Sequence, residues 1–178
     1  LWSGPPDDEL LALARRDGLQ KPAVLAAQVD RMIADPRSRE FVSGFTYQWL
    51  TMERLDFFQF DFKLHRGFDD SAKAAAREEV YETIGCLLRE NLGLERLLKS
   101  DFVVVNGLLA DYYGWDGVMG DAVRKVPFSA ELPRGGLRGM AAVLAMGSNW
   151  QYTSPVEPAA WVLLKLLHDP AAPAPTNV

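Results

Sequence analysis

The sequence predicts a mainly α-helical fold, a helical domain of about seven or eight helices with one extended phenylalanine-rich segment and a proline-rich tail. Three observations carry this. Apolar residues recur at three- and four-residue spacing through most of the chain. Helix-start and helix-stop residues, namely Asp, Pro and Gly, fall between those periodic stretches. The 178 residues are 48% hydrophobic and 24% charged, which is apolar enough to bury a core and too apolar for a disordered chain.

The elements follow in order. Asp7 comes after Pro5-Pro6 and suits an N-cap, Leu10, Leu13 and Ala14 keep helical spacing, and Gly18 ends the helix. A second helix starts at Pro22, a favoured first-turn position, with Leu25, Val29, Met32 and Ile33 as its apolar stripe. Asp35-Pro36 breaks it, and a third runs from Pro36 to Met52 with Phe41, Phe45, Trp49 and Met52 in line. Residues 53–68 change period. Phe58, Phe60, Phe62 and Leu64 alternate with polar side chains, which predicts an extended segment with one apolar face. A fourth helix over residues 70–91 carries Ala76, Val80, Ile84 and Leu87 inward, and a short one follows at Leu94–Leu98. Phe102–Val105 suits either a strand or a helix start, and Leu108–Tyr113 reads helical up to Gly114. Residues 114–134 read as a long loop, 136–147 and 156–168 as helices, and Pro170-Ala-Ala-Pro-Ala-Pro-Thr as a polyproline-type spacer.

Charge and cysteine content exclude several functions. The net charge is −5 and Lys and Arg form no basic stripe, which argues against nucleic acid as a partner. No apolar run reaches the roughly 18 residues of a membrane span. One cysteine, Cys86, makes no internal disulfide, no Cys-x-x-Cys-His haem motif is present, and two histidines cannot form a three-histidine metal site. No metal site is therefore expected, and no cofactor is expected in this chain. Leu1-Trp2 reads as the end of an apolar element that begins upstream, so the chain is expected to be a piece of a longer protein.

Six stretches share an order with a known family. They are LWSGPPDDELLALARRDGL, AQVDRMIADPRSREFVSGFTYQWL, the acid in AREEVYE, DFVVVNGLLADYYG, RGGLRGMAAVLAMGSN and TSPVEPAAWVLLKLL. Together they resemble two consecutive planctomycete-type domains of unknown function, the first over residues 1–126 and a smaller second over 134–178 that packs on it and ends in the proline-rich linker. The resemblance implies a large extracytoplasmic parent, in the periplasm or at the cell surface. It also implies neighbouring cytochrome-c-like modules, so haem c is expected elsewhere in the parent. Two departures stand out: Pro158 and Ala159 occupy positions where the family pattern has a basic residue and glycine, and 53–64 is rich in phenylalanine rather than polar.

Candidate site residues come from both sources. Glu79 matches the acid of the family pattern and sits at the edge of an apolar stripe, where a half-buried carboxylate serves either as a general acid or base or as a packing group held by donors. Asn106 and Tyr113-Gly114 match family positions, yet N-capping, ring packing and a left-handed C-cap explain them equally. Ser154, before Pro155, suits the start of a helix better than a nucleophile. Gly135-Gly136 and Gly139 lack the lysine of a phosphate loop and suit close helix contact. Phe58, Phe60 and Phe62 suit either a covered strap or a docking surface for a neighbouring module or another protein. Two functions compete: a non-catalytic scaffold or interaction module of a redox-associated protein, and a catalytic module acting on polysaccharide-type substrates with Glu79 as general acid or base. The isolated chain is expected to purify colourless. A Soret band surviving denaturation would contradict this.

Overall fold

The structure is a computed structural model that describes residues 1–57, 67–127, 135–148 and 156–169. Its helices are α1 (Asp8–Ala14), α2 (Pro22–Ala34), α3 (Ser38–Leu50), α4 (Glu53–Phe57), α5 (Asp70–Arg89), α6 (Gly107–Tyr112), α7 (Ala141–Met146) and α8 (Val156–Lys165). Short 3-10 turns lie at Gly18–Gln20, Leu94–Leu97 and Leu137–Gly139. Two strands, β1 (Phe102–Val105) and β2 (Arg124–Pro127), pair antiparallel with Phe102 opposite Pro127 and Val105 opposite Arg124. The fold is mainly α-helical, as the periodicity predicts.

Local chemistry sets the ends of the elements. Asp7, Asp69 and Asn106 each accept a backbone N–H of the first turn of α1, α5 and α6, satisfying donors that a helix start leaves open. Gly114, at φ +72, ends α6 in the left-handed region.

α5 is the axis of the core. Its 20 residues span about 30 Å. Ala72, Ala76, Val80, Ile84 and Leu87 are buried along it, and α3, α6, α7 and β1 all pack against it. β1 is buried at all four positions, which explains its unbroken valine run, while β2 is mostly exposed. The buried cluster joins Val42, Leu50, Met52 and Leu55 to Leu109, Leu137, Met146 and Trp161.

Two pairs of contacts hold the periphery. Trp49 on α3 donates its indole N–H to the Lys165 carbonyl at 2.9 Å, and Trp161 on α8 donates to the Leu50 carbonyl at 3.4 Å. Each indole thus satisfies a carbonyl at the other helix's C-terminal end, where no intrahelical donor exists. At the other end, Trp2 donates to the Met32 carbonyl at 3.0 Å and carries the Arg37 guanidinium 3.5 Å above its ring. Arg31 bonds Asp7, and Arg37 bonds Asp35, whose carboxyl it holds at a pKa of about 2.

Four expectations are corrected. Residues 53–57 are helical, so the extended segment does not begin at 53; Phe58, Phe60, Phe62 and Leu64 lie outside the described residues. The 114–134 loop contains β2, missed because Arg-Lys-Val-Pro buries no full side chain and is a strand only through its partner. The helix expected over 136–147 is a 3-10 turn followed by the six residues of α7. The α2 stripe is only partly covered: Leu25 and Val29 are exposed, Met32 and Ile33 are half-buried, and Gln28 is that helix's buried residue.

The glycines at 135 and 136 are threaded against the segment before β1. A Cβ at Gly135 would collide with the Ser100 carbonyl, and one at Gly136 with the Leu98 carbonyl. Gly136 also sits at φ +79, and its N–H donates to Ser100 Oγ at 3.2 Å. Gly136→Ala is expected to cost about 3 kcal/mol from strain and collision together. Urea unfolding should show a lower midpoint with an unchanged slope.

Candidate functional site

Glu79 lies at the middle of α5, on its buried side, and it is 2% exposed. The Tyr113 hydroxyl donates to Glu79 Oε2 at 2.6 Å. The same hydroxyl accepts the Ala141 N–H at 2.8 Å. That N–H belongs to the first turn of α7, where it has no intrahelical partner. One phenol therefore bridges a carboxylate on α5 and the start of α7 from the end of α6. A buried carboxylate is costly unless donors replace water, and a short charge-assisted bond of this kind is among the stronger replacements.

An aromatic wall stands beside the bridge. The Tyr113 ring meets Trp115 edge-on at 5.1 Å and Tyr112 at 6.0 Å, and Tyr112 meets Phe68 at 5.1 Å. The Trp115 and Tyr112 rings pack against the phenol that reaches the carboxylate.

The structure thus brings two sequence candidates together, Glu79 and Tyr113. Glu79 is fully buried rather than half-buried. Asn106 stands apart as the cap of α6, its Oδ1 accepting the Leu109 N–H at 3.0 Å. Phe58, Phe60, Phe62 and Ser154 lie outside the described residues. Gly135 and Gly136 make the close contacts described above. The Ala141 amide and Trp115 were not singled out from sequence. A backbone donor leaves no residue signature, and Trp115 differs from other loop aromatics only once Tyr113 is placed.

Cys86, two turns along α5 from Glu79, is buried in a small cluster with Leu87, Phe102 and Val104. Its thiol donates to Glu90 Oε1 at 3.1 Å, and Glu90 accepts Lys125 Nζ at 2.6 Å. Burial and the Glu90 bond push the thiol pKa up, away from the thiolate that a nucleophile requires. Among the described residues no three His, Cys, Asp or Glu side chains converge as metal ligands, and no helix is long and apolar enough to cross a membrane.

Residues 1–115 match the family model described as PSD4, protein of unknown function (DUF1592). The chain belongs to this family. No curated protein and no solved structure matches it. The matched residues contain Glu79, Asn106 and Tyr113, whereas the Ala141 amide that the phenol accepts lies beyond them.

Removing the phenol oxygen isolates its effect. Tyr113→Phe keeps the ring but takes a donor from the carboxylate and an acceptor from the α7 amide. It is expected to cost about 1–3 kcal/mol. Glu79→Gln, which keeps a hydrogen-bond acceptor, should cost less, and thermal melts of the two variants will rank them.

Proposed function

We propose that this DUF1592 chain is a non-catalytic scaffold or interaction module of a larger extracytoplasmic, redox-associated multidomain protein. One observation supports it most: Glu79, the acid of the family pattern, is 2% exposed and is spent on holding Tyr113 and, through it, α7. A general acid or base needs substrate within hydrogen-bond reach of its carboxyl group. This carboxyl group is covered and occupied, which is how a structural group is built.

The compartment and the haem context rest on the resemblance of the six ordered stretches. In this proposal the partners are neighbouring modules of the parent or another protein, and haem c sits in one of those modules. Phe58, Phe60 and Phe62 stand as sequence candidates for the contact.

The test uses the chain together with the modules that flank it in the parent gene. Added flanking module is expected to raise the melting temperature of the chain, because a ligand that binds only the folded state stabilises it. Polysaccharides incubated with the chain should release no reducing ends. Release that vanishes in Glu79→Gln at unchanged melting temperature would establish the catalytic alternative, with Glu79 as acid or base. Neither a shift nor turnover would also defeat the interaction role.

A further inference from the structure

Among the described residues, α3 carries an aromatic ladder whose middle ring is exposed. Phe41, Phe45 and Trp49 stand one helical turn apart, with ring centroids 5.7 and 5.5 Å apart and planes within 20° and 30° of parallel. Phe41 and Trp49 rest against the buried cluster, while Phe45 is 49% exposed.

The C-terminal end of α8 is fixed at one end of this ladder. Trp49 Nε1 donates to the Lys165 carbonyl. Just beyond, the chain turns off the helix axis: the amides of Leu166 and Leu167 both bond the Val162 carbonyl, His168 adopts φ +55, and the Asp169 amide bonds the Leu163 carbonyl. Leu164 and Leu167 beside that turn are 49% and 62% exposed, so apolar surface lies at the turn as well as on the ladder. The next residues are Pro-Ala-Ala-Pro-Ala-Pro-Thr-Asn-Val, which lie outside the described residues.

We propose that the α3 ladder is a docking face for a polyproline-type segment, and that its occupant is this chain's own residues 170–178. The run follows directly on Asp169, four residues after the Lys165 carbonyl that Trp49 holds, so it is tethered near one end of the ladder. A polyproline helix rises about 3.1 Å per residue, which gives these residues a reach of about 28 Å, more than the length of α3 at about 20 Å. In a polyproline helix, with three residues per turn, Pro170 and Pro173 would fall on one edge about 9 Å apart. No side chain in the run is ionisable, so nothing charged is desolvated against the rings. Aromatic-lined grooves take proline-rich segments because the extended helix is preformed and little ordering entropy is lost. Tethering places the run at an effective concentration of about millimolar, so a weak intrinsic affinity suffices. This inference stands independently of the proposed interaction role.

The test adds a synthetic peptide of residues 168–178 to the full chain and to a chain ending at Asp169, following the tryptophan indole N–H resonances by NMR. The shortened chain is expected to bind the peptide saturably, and the full chain about tenfold more weakly because its own run competes. Phe45→Ala in the shortened chain should weaken binding about tenfold with melting unchanged from the shortened parent. If the shortened chain fails to fold, a full-length chain with Pro170, Pro173 and Pro175 changed to Ser replaces it and should bind the peptide as strongly as the shortened chain is expected to. Equal binding to both chains, no binding to the open one, or indifference to Phe45→Ala overturns the proposal. So does a dimer of the shortened chain that persists at saturating peptide, which would give the face to a second copy.

Discussion

Taking an ionisable carboxylate out of water costs several kcal/mol unless hydrogen-bond donors replace the solvent. Glu79 imposes that requirement at the centre of α5, and Tyr113 answers it from the end of α6. The phenol must be held in one direction to do so, which is why Trp115 and Tyr112 flank it. The second lone pair of the same oxygen then receives the first amide of α7. Three helices distant in sequence are positioned by one oxygen atom. The apolar residues of the core supply most of the stabilisation, but they would tolerate a range of helix orientations; a polar bond with a narrow geometry selects one.

The same logic recurs at the edges, with indoles in place of the phenol. Trp49 and Trp161 exchange hydrogen bonds with the carbonyls that end each other's helices. Trp2 pins the first residues onto the end of α2 between two guanidinium groups. A tryptophan brings a large apolar body and a single donor, so each of these contacts combines area burial with direction.

Much of the fold was legible in the sequence because it is local. Asp7, Pro22, Asn106 and Gly114 mark helix ends by chemistry that acts within one turn, and the structure places them there. The inner face of α5 was legible from Ala76, Val80, Ile84 and Leu87 for the same reason. What failed is non-local. β2 has no pattern of its own and is defined by β1. The stripe of α2 is apolar but only partly covered, with Leu25 and Val29 exposed and Met32 and Ile33 half-buried, which depends on what packs against it. Glu79 was recognisable as a candidate from its place on the helix. Its complete burial goes with a phenol donor contributed from the end of α6, which no spacing along α5 encodes.

The family match ends at residue 115, yet the hydroxyl of Tyr113 is completed by Ala141, and Leu50 near the start of the core is completed by Trp161. The segment that sequence comparison recognises as a unit is therefore smaller than the segment that closes this core. Modular exchange between genes that cut at the recognised edge would inherit α5 and its carboxylate without the amide and the indole that finish their surroundings. Lineages that shuffle such segments would keep the two stretches together, and their co-inheritance would reflect a shared interior rather than a shared task.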